Sequence, residues 1–126
     1  MKQAVYSENA PKAIGPYSQA IKTNETYTIY VSGQLPADPK TGEFPEGIQA
    51  QTRQSIMNLA AILKEENADL KNVVKTTVYL SDIKDFGAMN GIYSEFFSAP
   101  FPARVALEVA NLPKQALVEI EAIAVK

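Results

Sequence analysis

The 126-residue sequence contains no cysteine, no histidine and no tryptophan. Without cysteine there is no disulfide scaffold and no thiolate nucleophile. Without histidine there is no imidazole acid–base group and no Ser-His-Asp triad, and without either the usual zinc sites cannot be built. Charge of one sign is also lacking: 12 basic residues face 14 acidic ones, for a net charge of −2. That balance argues against a general nucleic-acid surface and supplies no polybasic membrane patch. The opening Met1–Tyr6 has no apolar signal core, and no apolar run is long enough to span a bilayer. A soluble, cytoplasmic protein with no metal is the expectation. Any catalysis then falls to carboxylates, Arg, Lys, Tyr, hydroxyls, amides, backbone groups or water.

What is present suits one domain over residues 1–126, since 46% of the chain is hydrophobic, enough for a single core. Residues near Gln3–Tyr6 predict a short strand. Asn24-Glu25 predicts a hairpin turn between Ala20–Lys22 and the β-branched, aromatic run Tyr27–Ser32, which stops at Ser32-Gly33-Gln34. Leu35–Glu46, with three prolines and Gly42, reads as a loop. From Gly47 to Glu66 apolar residues recur at three- and four-residue spacing (Ile48, Thr52, Ile56, Leu59, Ile62, Leu63), the pattern of a helix lying on a sheet, with Gln51 and Arg53 outside the stripe. Val73–Leu80 alternates as a strand. A second helix follows over Ile83–Ser98, capped by Ser81 or Asp82, with Phe86, Met89, Tyr93, Phe96 and Phe97 as its apolar stripe and Asn90 beside it.

The last two strands hold the main concentration of chemistry. Pro100 and Pro102 end what precedes. Ala103, Val105, Leu107 and Val109 then form one parity and Arg104, Ala106 and Glu108 the other. In Leu117–Val125 the alternation sets Val118, Ile120, Ala122 and Ala124 against Glu119 and Glu121. The short stretch Asn111–Gln115 predicts a hairpin joining the two. With apolar faces matched, Arg104 shares a face with Glu119 and Glu121. That face would also carry Lys75, Thr77 and Tyr79, a mixture that commonly meets another subunit. Two readings follow: an ion-pair network that fixes register, or an arginine that binds a substrate carboxylate through two parallel hydrogen bonds while Glu119 or Glu121 holds a water. Element order predicts an α+β sandwich with two helices on one face of the sheet.

The motifs Asn9-Ala10-Pro11, Ile14–Gln19, Ser32–Pro36, Asn72–Val78, Met89-Asn90, Pro102-Ala103-Arg104, Leu112-Pro113 and Val118–Ala124, in this order and spacing, resemble the YjgF/RidA family of enamine/imine deaminases. The resemblance covers nearly the whole chain. It implies a chorismate-mutase-like α+β fold with a mixed sheet, assembled as a homotrimer with ligand sites between subunits. It implies hydrolysis, without a cofactor, of 2-aminoacrylate-type intermediates released by pyridoxal-phosphate enzymes, giving 2-keto acids and ammonia. By position, Arg104 would bind the substrate carboxylate and Glu119 would position or activate water. Tyr17, Gly33 and Asn90 would line the cleft, Gly33 through its backbone. Many relatives have cysteine where this chain has Ala106, so no thiol role is open there. The alternatives are a small-carboxylate-binding regulatory module without turnover, and a translation inhibitor or endoribonuclease. The absent histidine weakens the last.

Overall fold

The computed structural model describes residues 1–126. Eight principal elements run β1 (Lys2–Val5), β2 (Ala20–Thr23), β3 (Thr28–Gln34), α1 (Ile48–Lys64), β4 (Val73–Leu80), α2 (Phe86–Phe96), β5 (Ala103–Glu108) and β6 (Val118–Val125). The element types and order match the expectation from the sequence, but Asp82 caps a short 3-10 turn, Ile83–Asp85, by accepting from the Lys84 amide, and α2 follows it from Phe86 with no side-chain cap of its own. The strand pairing does not match. β1 and β2 pair with each other in a separate two-stranded sheet, and the main sheet has the order β3-β6-β4-β5.

Two expected hairpins are therefore absent. β2 does not pair with β3, which lies against β6 instead. β5 and β6 are not neighbours, because β4 lies between them, parallel to β5 and antiparallel to β6. The connection from β5 crosses the end of β4: the Val109 amide donates to the Leu80 carbonyl, and the Ser81 amide to that of Leu117. A tight turn at Pro113–Gln115 makes this crossing, with Lys114 and Gln115 both in the left-handed region at φ 54° and 59°. The physical reason lies in the helices. A helix between two strands returns the chain to the end where it began, so β3, β4 and β5 all run the same way. β6 then fills the slot between β3 and β4.

Both helices pack on one face. Ile56, Leu59 and Leu63 of α1 and Met89 and Tyr93 of α2 join Val31, Val78, Leu80, Val118, Ile120, Ala122 and Ala124 of the sheet in one buried cluster. Gln51 belongs to this buried side, not to the outer face expected of it. Its Nε2 donates to the Pro45 carbonyl at 3.0 Å and its Oε1 accepts from the Leu117 amide at 2.8 Å.

Register decides the faces. Thr76, a core residue of β4, is the partner of both Ala122 and Arg104, whereas Thr77 is the partner of Glu121 and Val105, and Tyr79 that of Glu119 and Leu107. Since paired residues point to the same side, Arg104 lies on the helix side and Glu119 and Glu121 on the opposite one. The expectation that the three share a face is corrected. The apolar parity of β5 is turned away from the helices, leaving Val105 45% and Leu107 38% exposed at one edge of that face, with Tyr30, 77% exposed, at the other edge.

Candidate active site

Arg104 stands on an edge strand against α2, and its surroundings are aromatic. Its guanidinium carbon lies 4.9 Å from the ring centroid of Tyr93, 5.5 Å from that of Tyr17 and 5.6 Å from that of Phe86. One guanidinium nitrogen, Nη1, donates to Asn90 Oδ1 at 2.7 Å. Phe86, Asn90 and Tyr93 come from one helix at spacings of four and three, which places them on a common side facing β5. Tyr93 is fixed from below, where its hydroxyl and that of Thr76 meet at 2.8 Å, both residues fully buried. Burial pushes the Tyr93 hydroxyl up to about 12.

Tyr17 reaches the cluster from a loop. Gly15 turns the chain at φ 113°, and a Cβ there would sit 3.6 Å from Asn90 Nδ2. Ser18 then bridges to Ala103 at the free edge of β5, its amide donating to the Pro102 carbonyl at 3.1 Å and its hydroxyl to that of Phe101 at 2.5 Å. Gln19 ties down the preceding loop by accepting from the Ser7 amide at 2.6 Å and donating to the Pro11 carbonyl at 2.7 Å.

The guanidinium has no carboxylate partner in the chain, whose two ion pairs are Met1 with Glu25 and Arg53 with Glu95. Burial lowers the pKa of Arg104, opposed by its charge interaction with the hydroxyls of Tyr93 and Tyr17. It remains a cation, because an arginine is not deprotonated in a protein. A half-buried charge with one amide acceptor and spare donors is unfavourable until an anion meets it. The ion-pair network that sequence parity offered for Arg104 does not form.

On the other face, Tyr79 donates its hydroxyl to Glu121 Oε1 at 2.9 Å. That bond, followed by burial, raises the Tyr79 pKa. Glu119 makes no ion pair, and its carboxyl group lies against Gly33 of β3. Of the expected site residues, Tyr17, Asn90 and Arg104 come together, and Gly33 and Glu119 come together, on opposite sides of one sheet. A cavity of about 430 Å³ borders Arg104 with Gln19, Ile21, Thr23 and Lys75. Another of about 330 Å³ lies over Tyr30, Ser32, Lys75, Thr77 and Glu121. Neither contains Arg104 and Glu119 together. No three acidic side chains cluster as metal ligands, and no helix is long and apolar enough to cross a membrane. Sequence reasoning did not connect Phe86, Tyr93 and Thr76 to Arg104. The helical spacing of Phe86, Asn90 and Tyr93 was the available signal.

The model of the family described as Endoribonuclease L-PSP matches residues 7–126. The chain belongs to this family. It is the YjgF/RidA family whose motifs the sequence carries. A RutC family protein of Pyrococcus horikoshii is 54% identical over 127 residues, covering 100% of this chain and 99% of the relative. The 2-iminobutanoate/2-iminopropanoate deaminase of goat, Capra hircus, is 48% identical over 127 residues, covering 100% of this chain and 91% of the relative. The crystal structure of E. coli TdcF with bound serine has the same mixed α+β fold, with a TM-score of 0.76 at 38% identity over 98% of both chains. YjgF/RidA proteins thus include members named as deaminases, and this chain matches them over its full length.

Proposed function

We propose that this protein is a cofactor-independent 2-iminobutanoate/2-iminopropanoate deaminase whose sites lie between copies of the chain in a homotrimer. The observation that carries the reading is Arg104, a caged guanidinium that lacks an anionic partner and has donors to spare. The substrate class supplies that partner as its carboxylate, in a bidentate pair. A relative that binds serine, itself a small amino carboxylate, is consistent with this.

Arg104 and Glu119 face opposite ways, so one chain does not bring both to one substrate. A second copy, packed through the helix-free face with its exposed Val105 and Leu107, brings its Glu119 to the Arg104 of the first. Arg104 holds the imino acid through its carboxylate, with Asn90 and the three rings fixing the guanidinium. The protonated imine carbon is already electrophilic. A water held by Glu119 adds to it, forming the C–O bond as the C=N π pair moves to nitrogen and the water gives up a proton to the Glu119 carboxylate. A second proton passes from the new hydroxyl to nitrogen, the C–N bond breaks, and a 2-keto acid and ammonia leave. Orientation and a placed water are what the protein supplies.

The test couples a pyridoxal-phosphate dehydratase to the purified protein and follows 2-keto acid release. Wild type is expected to accelerate release, and Arg104→Ala and Arg104→Lys to lose that acceleration with oligomer and melting curve retained. Tight binding of small carboxylates with no acceleration by wild type would instead establish a regulatory binding module.

A further inference from the structure

Among the six glycines, Gly33 alone has another residue's atoms where a Cβ would stand. A Cβ there would lie 2.9 Å from Glu119 Cδ and 3.2 Å from Cγ, and closer still to Oε2. The backbone does not demand glycine, because Gly15, Gly42 and Gly47 have positive φ and Gly33 does not. Its hydrogen is needed for space. The register explains the crowding: between the pairs Val31 with Ala122 and Gln34 with Ile120, both Ser32 and Gly33 face the single residue Glu121, so β3 bulges here. Tyr79, the cross-strand partner of Glu119, gives its hydroxyl to Glu121. The Glu119 carboxylate, which makes no ion pair, lies against Gly33.

We propose that Gly33 is a positioning residue acting through Glu119: its missing Cβ is a seat on which the carboxylate rests, and the seat determines where the hydrolytic water is held. The inference rests on the role proposed above for Glu119. It differs from the expectation that Gly33 serves through its backbone, and the two are separable, because alanine keeps the amide and carbonyl but fills the seat.

Gly33→Ala, Glu119→Gln and the double variant are compared with wild type in the keto-acid assay. Gly33→Ala is expected to melt near wild type, because the displaced atoms are the free end of a flexible side chain. Its kcat is expected to fall by roughly 10- to 100-fold, the scale of a misplacement of about 1 Å. KM should change little, since Arg104 is untouched. The double variant should be no slower than Glu119→Gln. Wild-type kcat in Gly33→Ala, or losses that multiply in the double variant, would overturn the proposal while leaving the deaminase reading intact. If wild type turns over no imino acid, that reading fails, and crystal structures of Gly33→Ala and wild type decide the seat. A Glu119 carboxylate shifted by about 1 Å or more supports it; an unmoved one ends it.

Discussion

If the site needs Arg104 of one copy and Glu119 of the next, two dead variants should rescue each other. Arg104→Ala retains an intact Glu119, and Glu119→Gln retains an intact Arg104. In an equimolar, randomly mixed population, each Arg104–Glu119 junction has a half chance of receiving the intact arginine and an independent half chance of receiving the intact glutamate. About one quarter of the junctions are therefore wild type, whatever number of copies closes the ring. The mixture should recover about a quarter of wild-type kcat at equal protein, with KM unchanged, because each rescued junction is a complete site. The variants, purified with different tags, are unfolded together in denaturant and refolded, and 2-keto acid release is measured on the whole refolded population, with sequential affinity steps on a separate portion verifying that mixed oligomers formed. Separately refolded and then combined variants give the baseline. The result that refutes the reasoning is verified mixed oligomers with no activity above that baseline. It would mean that one chain assembles both groups, against the register that puts Thr76 beside Arg104 and Tyr79 beside Glu119 on opposite faces.

Tyr93→Phe removes one hydroxyl of the buried Tyr93–Thr76 pair and leaves Thr76 Oγ1 without a partner, which should cost about 1–3 kcal/mol by urea unfolding at fixed protein concentration. Adding Thr76→Val should recover most of that loss, and failure to do so would show that the ring position itself was disturbed. Because burial holds the Tyr93 proton to about pH 12 while the unfolded chain releases it near pH 10, the stabilisation is complete below pH 10 and is lost as pH rises to about 12, at about 1.4 kcal/mol per pH unit. Tyr93→Phe should remove one proton's worth of that slope, and an unchanged slope would contradict the assignment. Leu107→Glu places a charge on the helix-free face where Leu107 is 38% exposed, and sedimentation should show the oligomer shifting to monomer with the helical signal retained.

The strands and helices were legible because each has a clean period: β4 alternates Val73–Leu80 and α1 carries its stripe through Leu63. The pairing was misread because nearness in sequence was taken for nearness in space. Ala20–Thr23 and Thr28–Gln34 are separated by only four residues, and β5 and β6 by nine, yet neither pair hydrogen-bonds. The correct signal was present at a longer range. Each strand–helix–strand unit requires its two strands to run parallel, so β5 had to join β4 and the last strand had to enter antiparallel to both β3 and β4. A chain read from its crossovers, before its turns, yields the observed sheet.

The site was misread by the same kind of step, one level down. Parity correctly split β5 into an apolar row and the row of Arg104, but assigning the apolar row to the core assumed that the helices cover the more hydrophobic side of every strand. Here α2 offers β5 something other than an aliphatic surface: the Phe86 and Tyr93 rings and an amide. Such a surface accepts a guanidinium, whose planar face stacks on aromatic rings while its edge keeps its donors. The aliphatic row of Val105 and Leu107 is thereby released to the opposite face, which Glu119 and Glu121 share two strands away, and where a monomer leaves it wet. One choice of orientation in a six-residue edge strand thus sets both properties on which the proposed function depends, an arginine unpaired within its own chain and an apolar surface that a second copy can cover.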